Sequence, residues 1–170
     1  IDTTEFSEEV YFDVIRKKTA ALFASCAEAG ARSAHVTDEM AEKASLFGEM
    51  IGIAFQIKDD IFDYSTSDIG KPTGNDMREG KLTLPALYVL NTCADEKMNE
   101  LALRIRSLEA TKEEITLFIE WIKEKGGIDY AHKMMADFRN KALDLLPPSM
   151  DREIKEALTA YIDYVIDRNK

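Results

Sequence analysis

Phe55-Gln56-Ile57-Lys58-Asp59-Asp60-Ile61-Phe62-Asp63 closes a long run of helix-forming residues with three aspartates. At 100° per residue, Gln56, Asp59, Asp60 and Asp63 stand at i, i+3, i+4 and i+7, so they share one helical face. Upstream the same face carries Gly52, Glu49 and Ser45. The other faces hold Leu46, Phe47, Met50, Ile51, Ile53, Phe55, Ile57, Ile61 and Phe62. A surface helix has a wide polar face, whereas here the polar stripe is narrow. The pattern therefore predicts a largely buried helix whose stripe lines a cleft. Lys58 falls on roughly the opposite side and receives no catalytic role.

Three carboxylates so close together suit a hard divalent cation. The alternative is a solvated acidic helix end. Against that, carboxylates are unfavourable at the negative end of a helix dipole, and buried ones need a cationic partner. Two lysine-bearing, glycine-punctuated segments follow, Gly70-Lys71-Pro72 and Gly80-Lys81-Leu82-Thr83-Leu84-Pro85. Backbone and ammonium groups on such loops suit phosphate oxygens. Together the segments predict a site for a magnesium-bridged diphosphate.

Working outward, the whole chain reads as all-α, with no alternating strand pattern. Ser7 caps a first helix to about Ala29, and Thr37 a second that carries the aspartates to about Tyr64. A loop spans 65–81. Helices follow at about 83–93 and 96–108. Thr111 and Glu114 form a capping box for a helix ended by Gly126-Gly127. The next runs over about 128–145 to Pro147-Pro148, and Ser149 is expected to cap the last. In the first helix Ile15, Lys18, Thr19, Leu22 and Cys26 fall on one stripe, so a lysine interrupts an apolar face. It either snorkels its ammonium into water or reaches an anionic ligand in the cleft, with Thr19 donating a hydrogen bond.

The chain has 170 residues and a formal charge of −10. That length supports a real core, and that charge argues against nucleic acid and against anionic membrane surfaces. No stretch approaches the about 18 apolar residues of a membrane span. Cys26 and Cys93 lack paired spacing, which suits a reducing, cytoplasmic setting.

These segments resemble the trans-isoprenyl (polyprenyl) diphosphate synthase family, in its C-terminal half. The likeness runs through Lys18-Thr19-Ala20, Phe55-Gln56, Asp59 to Asp63, Gly70 to Asp76, Glu79 to Pro85, Gly126-Gly127-Ile128 and Leu146 to Ser149 with Arg152. The resemblance implies the C-terminal part of an all-α isoprenoid-synthase bundle, residues 1–170 being one portion of a single domain. It implies that an allylic prenyl diphosphate is condensed with isopentenyl diphosphate. Asp59, Asp60 and Asp63 would bind Mg2+, with Asp59 as the direct ligand. Lys18, Lys71 and Lys81 would meet the diphosphate, with Lys18, Lys71 and Asp59 as the catalytic set. Thr19 and Gln56 would lie along the allylic substrate. Asp76 reads as a loop or capping residue.

The family's first aspartate motif and its isopentenyl diphosphate site are missing from this sequence, and the chain opens on Ile1. The expectation is therefore a piece of a longer protein, inactive alone. Other readings are a non-catalytic subunit of a heteromeric synthase and a class I terpene cyclase. Product length is not encoded in these segments, although the overall pattern looks like octaprenyl-type or geranylgeranyl-type enzymes. Family members are usually homodimers, and the chain is expected to self-associate near Phe47, Met50, Ile53 or Phe55.

Overall fold

A computed structural model describes residues 6–64 and 74–167, and among them every regular element is helical. In chain order these are α1 (Glu8–Ile15), a π-helical segment (Arg16–Ala20), α2 (Ala21–Ser33), α3 (Asp38–Phe62) and the short α4 (Asn75–Arg78). Then come α5 (Leu84–Thr92), α6 (Glu96–Arg106), α7 (Lys112–Glu124), α8 (Gly127–Asp144) and α9 (Arg152–Asp167). The all-α expectation holds.

Local chemistry sets most boundaries. Ser7 Oγ accepts the Val10 N–H at 3.4 Å, and Thr37 Oγ1 accepts the Met40 N–H at 3.3 Å. At α7 the capping box closes both ways: Glu114 N–H donates to Thr111 Oγ1 at 3.3 Å, and Thr111 N–H to Glu114 Oε2 at 2.8 Å. Pro85 sits in the first turn of α5, where its missing N–H costs nothing. The last helix differs from expectation. Its opening N–H groups, on Glu153 and Ile154, donate to Asp151 Oδ1 at 2.9 and 3.3 Å, so Asp151 rather than Ser149 is the cap. The ionised carboxylate two residues on is the stronger acceptor.

The chain forms two compact units, one of residues up to Tyr11 with Asp59–His132, the other of Phe12–Lys58 with Lys133–Lys170. In the first, α5 is buried along almost its whole length through Leu84, Pro85, Ala86, Leu87, Val89 and Leu90. Helix α7 buries Ile115, Phe118, Ile119, Trp121 and Ile122, and α6 buries Leu101, Ala102 and Ile105.

In the second unit the π segment and α2 lie against α3 at very short range. A Cβ on Gly48 would stand 2.4 Å from the Phe23 carbonyl oxygen, and one on Gly52 would stand 2.6 Å from the Ala20 Cα. Small residues one turn apart thus let two backbones meet. Phe23 then packs on Phe55 with ring centroids 5.3 Å apart. Arg139 of α8 donates to Asp163 of α9 at 2.5 Å.

Two stripe readings are corrected. Ile15 is buried, yet Leu22 is 68% exposed and Cys26 is exposed as well. The π segment between them adds a residue to the turn, so a 3.6-residue wheel drawn through it goes out of register. In α3 the run from Gly48 to Ile61 is mostly buried as expected, but Leu46 is exposed. Ile53 is fully buried, so it is not available to meet a second copy.

Candidate diphosphate and metal site

The α-helical part of α3 stops at Phe62. The backbone then tightens, with Asp63 N–H donating to the Asp60 carbonyl at 3.2 Å and Tyr64 N–H to that of Ile61 at 3.1 Å. Asp59 and Asp60 are therefore on the last helical turn, while Asp63 lies in the turn that leaves it.

The three carboxylates have different surroundings. Asp60 is buried, 4% exposed, and its Oδ2 accepts the Tyr11 hydroxyl at 2.5 Å. Burial, and then the Asp60 charge, push the Tyr11 phenol far above its ordinary range, so it stays a donor. Asp59 is half-buried. Asp63 is also half-buried; its Oδ1 accepts the Asn75 N–H at 2.8 Å and its Oδ2 the Asp76 N–H at 3.0 Å. Its main-chain carbonyl accepts the Gly74 N–H at 2.9 Å. Burial raises the Asp63 carboxyl above its usual range, outweighing those two N–H bonds, and the nearby Asp76 carboxylate adds to the rise.

The Asp63 carboxylate thus caps α4, a helix that the sequence pattern did not reveal. Gly74, at φ +75°, makes the left-handed turn into it. Asp76, read from the sequence as a loop or capping residue, lies within α4, and its carbonyl accepts the Lys81 N–H at 2.8 Å. Lys81 is exposed; its ammonium meets Glu79 at 2.5 Å and Asp76 at 4.0 Å, and the Glu79 hydrogen bond raises its pKa. Tyr64, 2% exposed, shares a 3.0 Å hydrogen bond with Thr83 of the Leu-Thr-Leu-Pro segment. Tyr11, Tyr64 and Thr83 escaped the sequence reading, because an aromatic residue in an apolar stripe looks like core until its hydroxyl partner is known.

In the second unit Thr19 Oγ1 donates to Gln56 Oε1 at 2.8 Å, so these two expected substrate-lining residues are brought together. Lys18, in the π segment, is exposed. Beside it Arg16 pairs with Glu49 at 3.0 Å. Lys58 is buried. Lys71 lies outside the described residues.

Among the described residues no group of three or more His, Cys, Asp or Glu side chains converges to hold a metal ion. A full protein cage is not what Mg2+ requires. It is commonly bound by one or two carboxylates, with substrate phosphates and water completing the octahedron. Asp59 and Asp60, adjacent hard oxygen donors at one helix end, fit that demand. Among the described residues no helix is long and apolar enough to cross a membrane.

The chain's residues 1–122 match the family model described as Polyprenyl synthetase. This chain belongs to the polyprenyl synthetase family. Among solved members, the geranylgeranyl pyrophosphate synthase from Bacteroides thetaiotaomicron is 58% identical with a TM-score of 0.91, over 96% of this chain and 54% of that one. The polyprenyl synthase from Caulobacter crescentus CB15, solved complexed with calcium and isoprenyl diphosphate, is 35% identical with a TM-score of 0.85, over 96% of this chain and 51% of that one. The geranylgeranyl diphosphate synthase of Sulfolobus acidocaldarius is 35% identical over 147 residues, 85% of this chain and 44% of that protein. This polyprenyl synthetase chain spans about half the length of the curated relatives it matches.

Proposed function

We propose that this chain is the C-terminal portion of a trans-polyprenyl diphosphate synthase domain. The enzyme joins an allylic prenyl diphosphate to isopentenyl diphosphate and yields a longer all-trans prenyl diphosphate. The observation that carries this reading is the paired Asp59 and Asp60 at the end of α3, with Asp60 held by Tyr11, in a chain of this family. The 58% identity to a geranylgeranyl pyrophosphate synthase favours a geranylgeranyl product over an octaprenyl one.

Ionisation of the allylic substrate places negative charge on the departing diphosphate and positive charge on the prenyl carbon. Bound Mg2+ supplies Lewis-acid stabilisation of the former. Asp59 and Asp60 hold that cation. Lys18, Lys71 and Lys81 add fixed positive charge for the diphosphate oxygens. Thr19 and Gln56 present oriented polar groups to the allylic end. Asp63 contributes by fixing the Gly74–Asp76 turn, and with it the start of the segment that carries Lys81. No side-chain nucleophile is needed. Two free thiols suit a cytoplasmic setting, and a homodimer is the assembly proposed.

Incorporation of labelled isopentenyl diphosphate onto farnesyl diphosphate by the whole protein, with and without a chelator, tests this reading. A chelator-sensitive geranylgeranyl product is expected. Folded protein that releases diphosphate without incorporating label would instead be a cyclase, and folded protein with neither activity would be a non-catalytic subunit.

A further inference from the structure

Asp60 is the most enclosed carboxylate of the aspartate segment, and a phenol from α1 donates to it. Tyr11, on α1, is itself 8% exposed and reaches Asp60 Oδ2 at 2.5 Å, within the range of a charge-assisted O–H···O⁻ bond. An arginine or lysine at this point would also have held the carboxylate, but it would have cancelled the charge that a divalent cation needs. A phenol donates one hydrogen bond and brings no positive charge of its own. The terminal torsion of aspartate is otherwise broad. Pinning Oδ2 sets the plane of the carboxylate, and so the direction in which Oδ1 faces. A phenylalanine would fill nearly the same volume, so packing alone does not explain the hydroxyl.

We propose that Tyr11 is a positioning residue for the divalent cation, orienting the Asp60 carboxylate before the metal arrives. The inference rests on the metal-dependent reading above. Outer partners that orient metal ligands typically change affinity by about 10–100-fold when removed.

The test compares wild type, Y11F, D60N and the double variant of the whole protein, by Mn2+ binding followed by electron paramagnetic resonance without substrate. Y11F is expected to raise the Mn2+ Kd about tenfold. In the D60N background the same change is expected to add nothing, because its effect runs through Asp60. Tyr64→Phe removes another buried tyrosine hydroxyl, the one bonded to Thr83; it is expected to lower Tm and leave the Mn2+ Kd unchanged. Tyr11→4-aminophenylalanine, a weaker donor at the same point, is expected to fall between wild type and Y11F. A wild-type Mn2+ Kd in Y11F overturns the proposal, as does an equal loss in both backgrounds. If Y11F does not fold, a wild-type Kd with 4-aminophenylalanine overturns it. Wild-type protein that binds no Mn2+ overturns both this inference and the metal-dependent reading. Protein that binds Mn2+ but transfers no prenyl group overturns the enzymatic reading alone, and the Kd comparison still decides the role of Tyr11.

Discussion

Asp63 and Asp76 are joined through the main chain: the Asp76 N–H donates to Asp63 Oδ2 at 3.0 Å, while the adjoining Asn75 N–H takes Oδ1 at 2.8 Å. One carboxylate at the end of a long helix therefore caps the short helix that follows. A negative group that the α3 dipole disfavours is stabilised by the N–H groups opening α4.

Asp63→Ala is expected to act first on stability. Loss of a side-chain cap typically costs about 0.5–2 kcal/mol, and here two N–H groups lose their acceptor together. Chemical denaturation should show a lower midpoint, with local amide exchange faster at Asn75 and Asp76. A variant as stable as wild type, with unchanged exchange there, would show that the cap does not hold this turn.

Asp59→Ala is expected to do the reverse. Asp59 is half-buried and is the direct cation ligand proposed above, so its loss should leave Tm close to wild type. Removing one preorganised electrostatic element from a transition state commonly lowers kcat about 10²–10³-fold. Steady-state kinetics over a Mg2+ titration checks this. Equal small losses for Asp59→Ala and Asp63→Ala, with the same Mg2+ dependence, would return the segment to a solvated helix end.

The parts of this architecture that were legible in the sequence are those decided within one turn. Ser7, Thr37 and the Thr111–Glu114 pair announce their helices because a cap and its N–H lie three residues apart. Asp59 and Asp60 were legible as part of a helix for the same reason, whereas Asp63 lies in the turn beyond Phe62. Features set by distant partners were not. The Tyr11–Asp60 bond joins positions 49 residues apart, and no periodicity carries that information. Helix α4 is only four residues long, and its cap comes from Asp63 in an earlier part of the chain. The π segment broke the wheel through Leu22 because a backbone register change has no compositional mark.

Gly52→Ala should test whether the short approach of the π segment to α3 matters to the Thr19–Gln56 pair. The new Cβ would fall 2.6 Å from the Ala20 Cα and 3.0 Å from its Cβ. Neither atom belongs to a flexible side-chain end, so the two helices must separate. Overpacking of this kind costs about 1–3 kcal/mol. A fall in Tm together with a raised KM for the allylic diphosphate is expected, since Thr19 and Gln56 would no longer meet at 2.8 Å. Unchanged stability would mean that the backbones have room to spare.

Acid unfolding should report on the start of α7. The Thr111 N–H, and then the Arg104 guanidinium, hold the Glu114 carboxyl below its usual range. Its pKa is thus lower folded than unfolded, where a glutamate titrates near about 4.3. The stabilisation it provides is fully present above that unfolded value and is lost as pH falls through the lower folded one. Glu114→Gln keeps an oxygen for the Thr111 N–H but drops the charge that Arg104 meets at 2.5 Å. The variant should be less stable than wild type at neutral pH, and the two should converge as the solution is acidified below the folded pKa. Denaturation midpoints measured across that range decide it. A stability gap that stays constant with pH would show that the capping box works through hydrogen-bond geometry alone.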